Sequence, residues 1–284
     1  MTELVVLNNV TQMRAWRRSG RRAVVMTMGA LHPGHAALMD EARRVVGSEG
    51  QVVATVFVNP TQFSPGEDFE SYPRTMKEDL EVCSGHGVDA VFSPDAVEVY
   101  GEEPSDLSVD PGELGSVLEG SIRPGHFRGV LTVVLKLLNL TQPDVAVFGE
   151  KDYQQLILVR RMVDAFNLPV EVVSVPTVRD PDGLAMSSRN VYLDSTQRAA
   201  AAAIPAALFV GRESAEAGSS GVDVVRAAEQ VLNAQDGVEP DYVVLTGPHL
   251  EPAEDSGRAR LLVAARVGET RLIDSTELVL AGAS

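Results

Sequence analysis

Residues Ala23-Val24-Val25-Met26-Thr27-Met28-Gly29-Ala30-Leu31-His32-Pro33-Gly34-His35 run directly into Ala36-Ala37-Leu38-Met39-Asp40-Glu41-Ala42. An apolar, β-favouring run, then a turn holding Gly and Pro, then helical spacing predicts strand, tight loop and helix N-terminus. The first turn of a helix presents N–H groups without intrahelical partners and carries the positive end of the dipole, so the stretch predicts an anion site. His32 and His35 flank it and can donate hydrogen bonds to phosphate oxygens. The plainer alternative is a βα turn in which one imidazole caps and the other packs.

Upstream, Val10 to Arg18 reads as a short helix with Trp16 on its inner face. Downstream, the helix runs to about Val46 and a second strand, Val52 to Val58, ends at Asn59-Pro60-Thr61-Gln62-Phe63. A continuous apolar strand predicts burial on both faces, as in a parallel sheet covered by helices. Ser64 to Tyr72 is a Pro-, Gly- and acid-rich surface loop, and a helix follows from about Thr75 to Ser84. Asp89 to Ser93 is a third strand; Glu98 to Leu118, punctuated by Pro104, Pro111, Gly112 and Gly115, gives only short strands and turns. Val130, Val133, Val134, Leu137 and Leu138 then mark a helix from Phe127 up to Pro143, before strands at Asp144–Phe148 and Val170–Val175 that flank a helix carrying Leu156, Val159 and Val163.

After Pro176 the rhythm changes to Ala-rich helices near Ser195–Ala217 and Val222–Asn233, followed by strand-like runs at Tyr242–Leu245, Arg260–Arg266 and Arg271–Asp274 with a turn at Gly268-Glu269. The expected architecture is α/β: a Rossmann-like parallel sheet in an N-terminal domain, residues 1–176, with a smaller α+β C-terminal domain, residues 177–284. Ligands of such a sheet collect at the C-terminal strand ends, where His32, Asn59 and Lys151 all lie.

The 284 residues carry 24 Lys and Arg against 40 Asp and Glu, a net charge of −16 that repels nucleic acid and anionic lipid at long range. A polyanionic substrate must therefore meet a local basic cluster. The single cysteine, Cys83, excludes an intramolecular disulfide and fits a reducing cytoplasm; with His86 alone beside it, it falls short of a zinc site. Neither a signal peptide nor a run of transmembrane length is expected.

Met186-Ser187-Ser188-Arg189-Asn190 places small donors beside a guanidinium in the segment joining the two expected domains, a pattern suited to closing over a polyphosphate and equally to a solvated Ser-type turn. An HxGH loop followed by a basic Ser-rich loop resembles the phosphate-handling elements of the nucleotidylyltransferase superfamily. Thr27 to His35, Phe57-Val58-Asn59-Pro60-Thr61-Gln62-Phe63, Tyr72-Pro73-Arg74-Thr75, Arg123-Pro124-Gly125-His126-Phe127-Arg128-Gly129, Phe148-Gly149-Glu150-Lys151-Asp152-Tyr153-Gln154-Gln155 and Gly183 to Asn190, in that order, resemble the pantoate–β-alanine ligase family. The resemblance runs from about Ala23 to Asp274 and is weakest in the C-terminal helices.

That resemblance implies an ATP-dependent ligation, in which pantoate attacks the α-phosphorus of ATP to give pantoyl adenylate and pyrophosphate, and β-alanine then displaces AMP. It implies ATP as substrate, Mg²⁺, a homodimer, and residues 1–176 as the ATP- and pantoate-binding domain with 177–284 as a lid. By position, Met28, Gly29, Ala30, Leu31, His32, Pro33, Gly34 and His35 would line the ATP phosphates, with His35 the proton donor. Gly149, Glu150, Lys151 and Asp152 would bind ATP, Val178 would touch the adenine side, and Met186, Ser187, Ser188 and Arg189 would form the closing loop. Gln62 and Gln155 would hold pantoate with help from Asn59, and Asp79 is the candidate for the Mg²⁺ region. Arg123 and His126 either contact the site or shape it. The chain departs from the family pattern at Met26, where Pro is usual, and at Thr61, where Met is common.

Overall fold

The structure, a computed structural model, describes residues 4–64, 66–102 and 106–282. Pro65 of the expected surface loop and Pro104 of the expected turn region lie outside the described residues. The backbone falls into two compact units, Met1–Gly149 with Gln154–Pro176, and Glu150–Tyr153 with Thr177–Ser284.

In the first unit the apolar run becomes the central strand of a six-stranded sheet. Its elements in chain order are β1 (Val5–Leu7), α1 (Val10–Ala15), β2 (Arg22–Thr27), α2 (Pro33–Val46), β3 (Gln51–Val56), α3 (Met76–Gly85), β4 (Ala90–Phe92), α4 (Ala96–Tyr100), α5 (Glu119–Ile122), α6 (His126–Thr141), β5 (Val145–Gly149), α7 (Tyr153–Ala165) and β6 (Glu171–Val175). The strand order is β1-β4-β3-β2-β5-β6, all parallel, with Val24 opposite Val53 on one side and Ala146 on the other. Ala23, Val24 and Val25 are all fully buried, so side chains on both faces of β2 meet covering helices.

The helices cover the sheet with regular apolar stripes. In α2, Ala36, Met39 and Ala42 point inward at intervals of three; in α6, Val130, Val133, Val134, Leu137 and Leu138 form one stripe at the three- and four-residue spacing of a helix face. The chain builds β3 and β4 to one side of β2 and, after α6, β5 and β6 to the other. The switch point of this doubly wound sheet therefore lies between β2 and β5, whose C-terminal ends deliver Met28 and Gly149.

The second unit contains α8 (Ser195–Ala200), α9 (Ala203–Glu216), α10 (Gly221–Asn233) and an antiparallel sheet β7 (Val238–Thr246), β8 (Ser256–Val267), β9 (Thr270–Ala281), in spatial order β7-β8-β9. Ile204, Ala207, Leu208, Val224, Ala228 and Leu232 pack with Leu261, Val263 and Leu278 into one core. A Cβ at Gly211 would run into the Leu261 side chain, so the missing side chain is what lets α9 lie close on the sheet.

Several elements were not expected or differ from expectation: among the described residues of the Glu98–Leu118 region there is no strand, only the end of α4 and a 3-10 turn, Glu113–Ser116. β1 is too short to show a period and its Val5 and Val6 are about two-fifths exposed, at 38% and 39%. α1 stops at Ala15, burying Met13, while half-buried Trp16 stacks under the Arg22 guanidinium at 4.8 Å. The single helix expected over Ser195–Ala217 is broken at Ala201-Ala202, and the C-terminal strands are longer than their most apolar segments. Among the described residues no helix is long and apolar enough to cross a membrane.

Candidate active site

The loop leaving β2 is shaped by a buried carboxylate. Gly29 (φ +86) and Ala30 (φ +51) both adopt left-handed backbone, turning successive amides inward. Asp79, 2% exposed on α3, accepts from Ala30 N at 3.2 Å, Leu31 N at 2.8 Å and Thr75 Oγ1 at 3.2 Å. A Cβ at residue 29 would lie 2.9 Å from Asp79 Oδ2 and 3.2 Å from Val56 Cγ1, which explains the glycine.

The expectation of bare amides at the start of α2 is corrected by the histidines themselves. His32 Nδ1 accepts from Gly34 N at 3.1 Å and His35 Nδ1 accepts from His32 N at 3.3 Å, a reciprocal capping box, while Pro33 has no N–H to satisfy. The amides of His35 and Ala36 both bond to His32 O. An imidazole whose Nδ1 accepts must carry its proton on Nε2 when neutral. Both rings cap the helix, where the plainer alternative had one cap and the other pack, and each neutral ring then carries its proton on Nε2, with centroids 4.1 Å apart.

After β3, residues Pro60–Gln62 form a 3-10 turn capped by Asn59. Asn59 is 1% exposed and its capacity is fully used. Its Oδ1 accepts from Tyr100 Oη (2.6 Å), Thr61 Oγ1 (2.9 Å) and Thr61 N (3.3 Å); its Nδ2 donates to Gln62 Oε1 (3.0 Å) and Gly129 O (3.4 Å). Gln62 Nε2 faces Met28 Sδ at 3.2 Å, which joins this turn to the β2 loop. The approach of α6 depends on Gly129, where a Cβ would collide with the Thr61 carbonyl.

The Gln62 backbone is held as firmly as its amide. His126 Nδ1 donates to Gln62 O at 2.9 Å and His126 Nε2 accepts from Arg123, which pairs bidentately with Glu67 at 2.7 and 2.8 Å. Burial, aided by Arg123, lowers the His126 pKa to about 4. Burial pushes the Glu67 carboxyl up, but Arg123 more than offsets this and leaves it below its ordinary value. Arg123 and His126 therefore shape the Gln62 turn. Gln155, in the first turn of α7, is half-buried, whereas its neighbour Gln154 is buried and ties Glu119 N and the Leu114 and Val117 carbonyls together.

In the second unit, Glu150–Asp152 forms a 3-10 turn held by Arg260 of β8. Arg260 donates to Glu150 Oε2 at 3.1 Å and its guanidinium lies 3.8 Å from the Tyr153 ring centroid, while Tyr153 Oη donates to Pro248 O at 2.7 Å. Lys151, about one-fifth exposed at 21%, has its Nζ 3.7 Å from Asp152 Oδ1. Residues 178–186 form a tight hairpin: Met186 N bonds to Val178 O and Asp180 N to Leu184 O, with Gly183 at φ +90. Arg179 anchors it on buried Asp274 of β9 at 2.5 and 3.0 Å. Ser187 then caps the 3-10 turn Ser188–Tyr192 by accepting from Arg189 N at 3.3 Å.

Asp79, the Mg²⁺ candidate, spends its carboxylate on loop amides, and among the described residues no group of three or more His, Cys, Asp or Glu could hold a metal ion. These residues do not build a protein cage for Mg²⁺. Tyr100, Glu67, Gln154, Arg179, Asp274 and Arg260 were invisible to sequence reasoning because each acts on a neighbour distant in the chain; only the later positions of Phe148 to Gln155 hinted at Gln154.

The first unit is a doubly wound parallel sheet with an HxGH loop at its switch point, and the second unit carries Met186 to Arg189. The family model described as Pantoate-beta-alanine ligase matches residues 5–277, and the chain belongs to that family. It is 55% identical over 271 residues to the pantothenate synthetase of Saccharopolyspora erythraea, covering 95% of this chain and 87% of that one. With the pantothenate synthetase of Salinispora arenicola it shares 52% identity over 284 residues, 99% of each chain. The crystal structure of pantothenate synthetase from Thermus thermophilus superimposes with a TM-score of 0.90 at 46% identity, over 96% of this chain and 98% of that one. A pantoate-beta-alanine ligase from Francisella tularensis, solved with beta-gamma ATP and beta-alanine, gives a TM-score of 0.78 at 31% identity over 96% and 97% of the chains. The activity of this chain is the ligation of pantoate with β-alanine to pantothenate.

Proposed function

We propose that the chain drives this ligation by adenylating pantoate. A carboxylate is a poor acyl donor until its oxygen becomes part of a good leaving group. Attack of a pantoate carboxylate oxygen on the α-phosphorus of ATP expels pyrophosphate; the amine of β-alanine then attacks the acyl carbon, loses a proton and expels AMP. The observation that carries this reading is the reciprocal His32–His35 cap, which presets two Nε2–H donors beside the loop that leaves the central strand. Donors fixed before the substrate arrives stabilise charge developing on phosphate oxygens without reorganisation. The ATP complex of the Francisella relative supports the choice of triphosphate.

In this reading His35 and His32 donate to the α- and β-phosphate oxygens, and Lys151 supplies a point charge. Met28 to Leu31, Pro33 and Gly34 set the loop; Gly149, Glu150 and Asp152 set the Lys151 turn, with Asp152 on the ribose and Val178 on the adenine side. Met186, Ser187, Ser188 and Arg189 close over the polyphosphate, residues 177–284 serving as the lid to a binding domain of residues 1–176. Gln62 and Gln155 hold pantoate through neutral amides, which orient a carboxylate without quenching it. Mg²⁺ enters on the triphosphate, as part of the substrate. The charge of −16 supports small-molecule partners over nucleic acid, and a cytoplasmic homodimer completes the reading.

The test is isotopic. With pantoate labelled with ¹⁸O in its carboxylate, one labelled oxygen should leave in AMP. Release of ADP and labelled inorganic phosphate would instead mean an acyl phosphate and overturn the reading.

A further inference from the structure

Gln62 can meet a substrate as donor or acceptor, because rotation of its amide by half a turn exchanges the two. The fold removes that freedom through Asn59. Thr61 N–H can only donate, so the oxygen of Asn59 must face it; Gly129 C=O can only accept, so the nitrogen of Asn59 must face the opposite way. Two hydroxyls, from Thr61 at 2.9 Å and Tyr100 at 2.6 Å, reinforce the same orientation. Asn59 Nδ2 then points at Gln62 Oε1, 3.0 Å away, and engages it. With Oε1 held towards Asn59 and one Nε2–H facing Met28 Sδ at 3.2 Å, the orientation of the Gln62 amide is fixed and its second Nε2–H is left to donate.

We infer that Tyr100 and Thr61 are positioning residues for pantoate: by locking the Asn59 amide they fix which end of the Gln62 amide is Nε2, so that Gln62 meets pantoate through Nε2–H and the pantoate oxygen it meets acts as an acceptor. Asn59 itself, buried and with every donor and acceptor used, acts through Gln62 and does not touch the substrate. Tyr100 is well placed for the task. It is the last residue of α4, its ring packs 6.3 Å from that of Phe57, and Lys136 Nζ lies 5.5 Å above it. Thr61 gives the chain a hydroxyl where the family pattern commonly has a thioether, adding a second tie to the same oxygen.

This inference rests on the reading of Gln62 as a pantoate ligand. The test is steady-state pantoate-dependent exchange of pyrophosphate into ATP for the wild-type chain, Tyr100→Phe, Thr61→Val and the double variant. Loss of one hydrogen bond of ordinary net strength should raise KM for pantoate about fivefold in Tyr100→Phe, and less in Thr61→Val because Thr61 N–H still holds Asn59. The double variant should exceed either single one. KM for ATP and kcat should stay within about twofold, a split that a general structural defect would not produce. Gln62→Glu, which offers an acceptor in place of the donor, should weaken pantoate more than Gln62→Ala. Unchanged KM for pantoate in the double variant, equal rises for both substrates, or a loss confined to kcat would each overturn the inference while leaving the adenylation reading intact. Should Tyr100→Phe melt early, Thr61→Val and Gln62→Glu carry the test. If the wild-type chain shows no pantoate-dependent exchange, the reading of the site fails first and takes this inference with it.

Discussion

The surroundings of Gln62 and of Lys151 solve two different problems with different chemistry. Around the Gln62 side chain the neighbours are neutral, the Asn59 amide and the Met28 thioether, with the Tyr100 and Thr61 hydroxyls behind Asn59; its backbone carbonyl takes the neutral His126 imidazole and, at 3.4 Å, Arg123, which pairs with Glu67. Around Lys151 the turn is tied by an ionic contact, Arg260 to Glu150, reinforced by stacking on Tyr153. A neutral network gives orientation, since amide and hydroxyl geometry is directional. A charged one sets local potential, which is what a polyphosphate needs from a chain whose overall charge is −16. The comparison teaches that binding the acid and handling the phosphates can be damaged separately.

The sharpest break is at the charged groups. Lys151→Ala and His35→Ala should each slow adenylation by about 10² to 10³-fold in single-turnover assays, because on the proposed reading each meets developing phosphate charge. Circular dichroism should show both variants folded.

The neutral region should reveal itself through acid. Native His126 has a pKa of about 4, against an ordinary value of 6.5, so the unfolded chain takes up this proton first as pH falls. Stability from this group is complete above about pH 6.5 and lost progressively towards pH 4, by up to about 3 kcal/mol. His126→Gln, whose amide can still donate to Gln62 O, should flatten that part of the denaturation-versus-pH curve. A curve unchanged by the substitution would contradict the assignment.

Gly129→Ala should cost about 3 kcal/mol, because its Cβ would lie 2.2 Å from the Thr61 carbonyl oxygen and 2.8 Å from Gln62 Cα, where backbone must shift. Here the pantoate constant should move and the ATP constant should not. Arg260→Met should cost about 2 kcal/mol, seen as a lowered thermal midpoint, because the Arg260 side chain is 6% exposed and its loss leaves the 25%-exposed Glu150 without this partner. It should also raise KM for ATP while sparing KM for pantoate, the mirror image of the Tyr100 variants.

The parallel sheet was legible because Ala23–Met26 and Val52–Val58 are unbroken apolar runs ending in loops, a pattern that requires both faces covered. β1 was not, since three residues show no period. Of the candidate site, His32, His35 and Ser187 to Arg189 could be named from residue type and spacing and Lys151 from its place at a strand end, whereas Gln62 came only through the resemblance to the ligase family. Their supports could not: Tyr100 reaches Asn59 across 41 residues, Arg260 reaches Glu150 across 110, and neither position is marked by its neighbours. The hydrogen bonds of Asn59 and Asp79 were hidden for the same reason. Only the three-dimensional partners show that one is saturated by hydrogen bonds and the other anchors the Ala30 and Leu31 amides.

The most direct test of the whole account is exchange of labelled pyrophosphate into ATP with β-alanine left out. Exchange that appears only when pantoate is added is the predicted result, because adenylation is then the sole reversible step available. Exchange at the same rate without pantoate, or its absence in a preparation that still makes pantothenate, would contradict activation through an acyl adenylate.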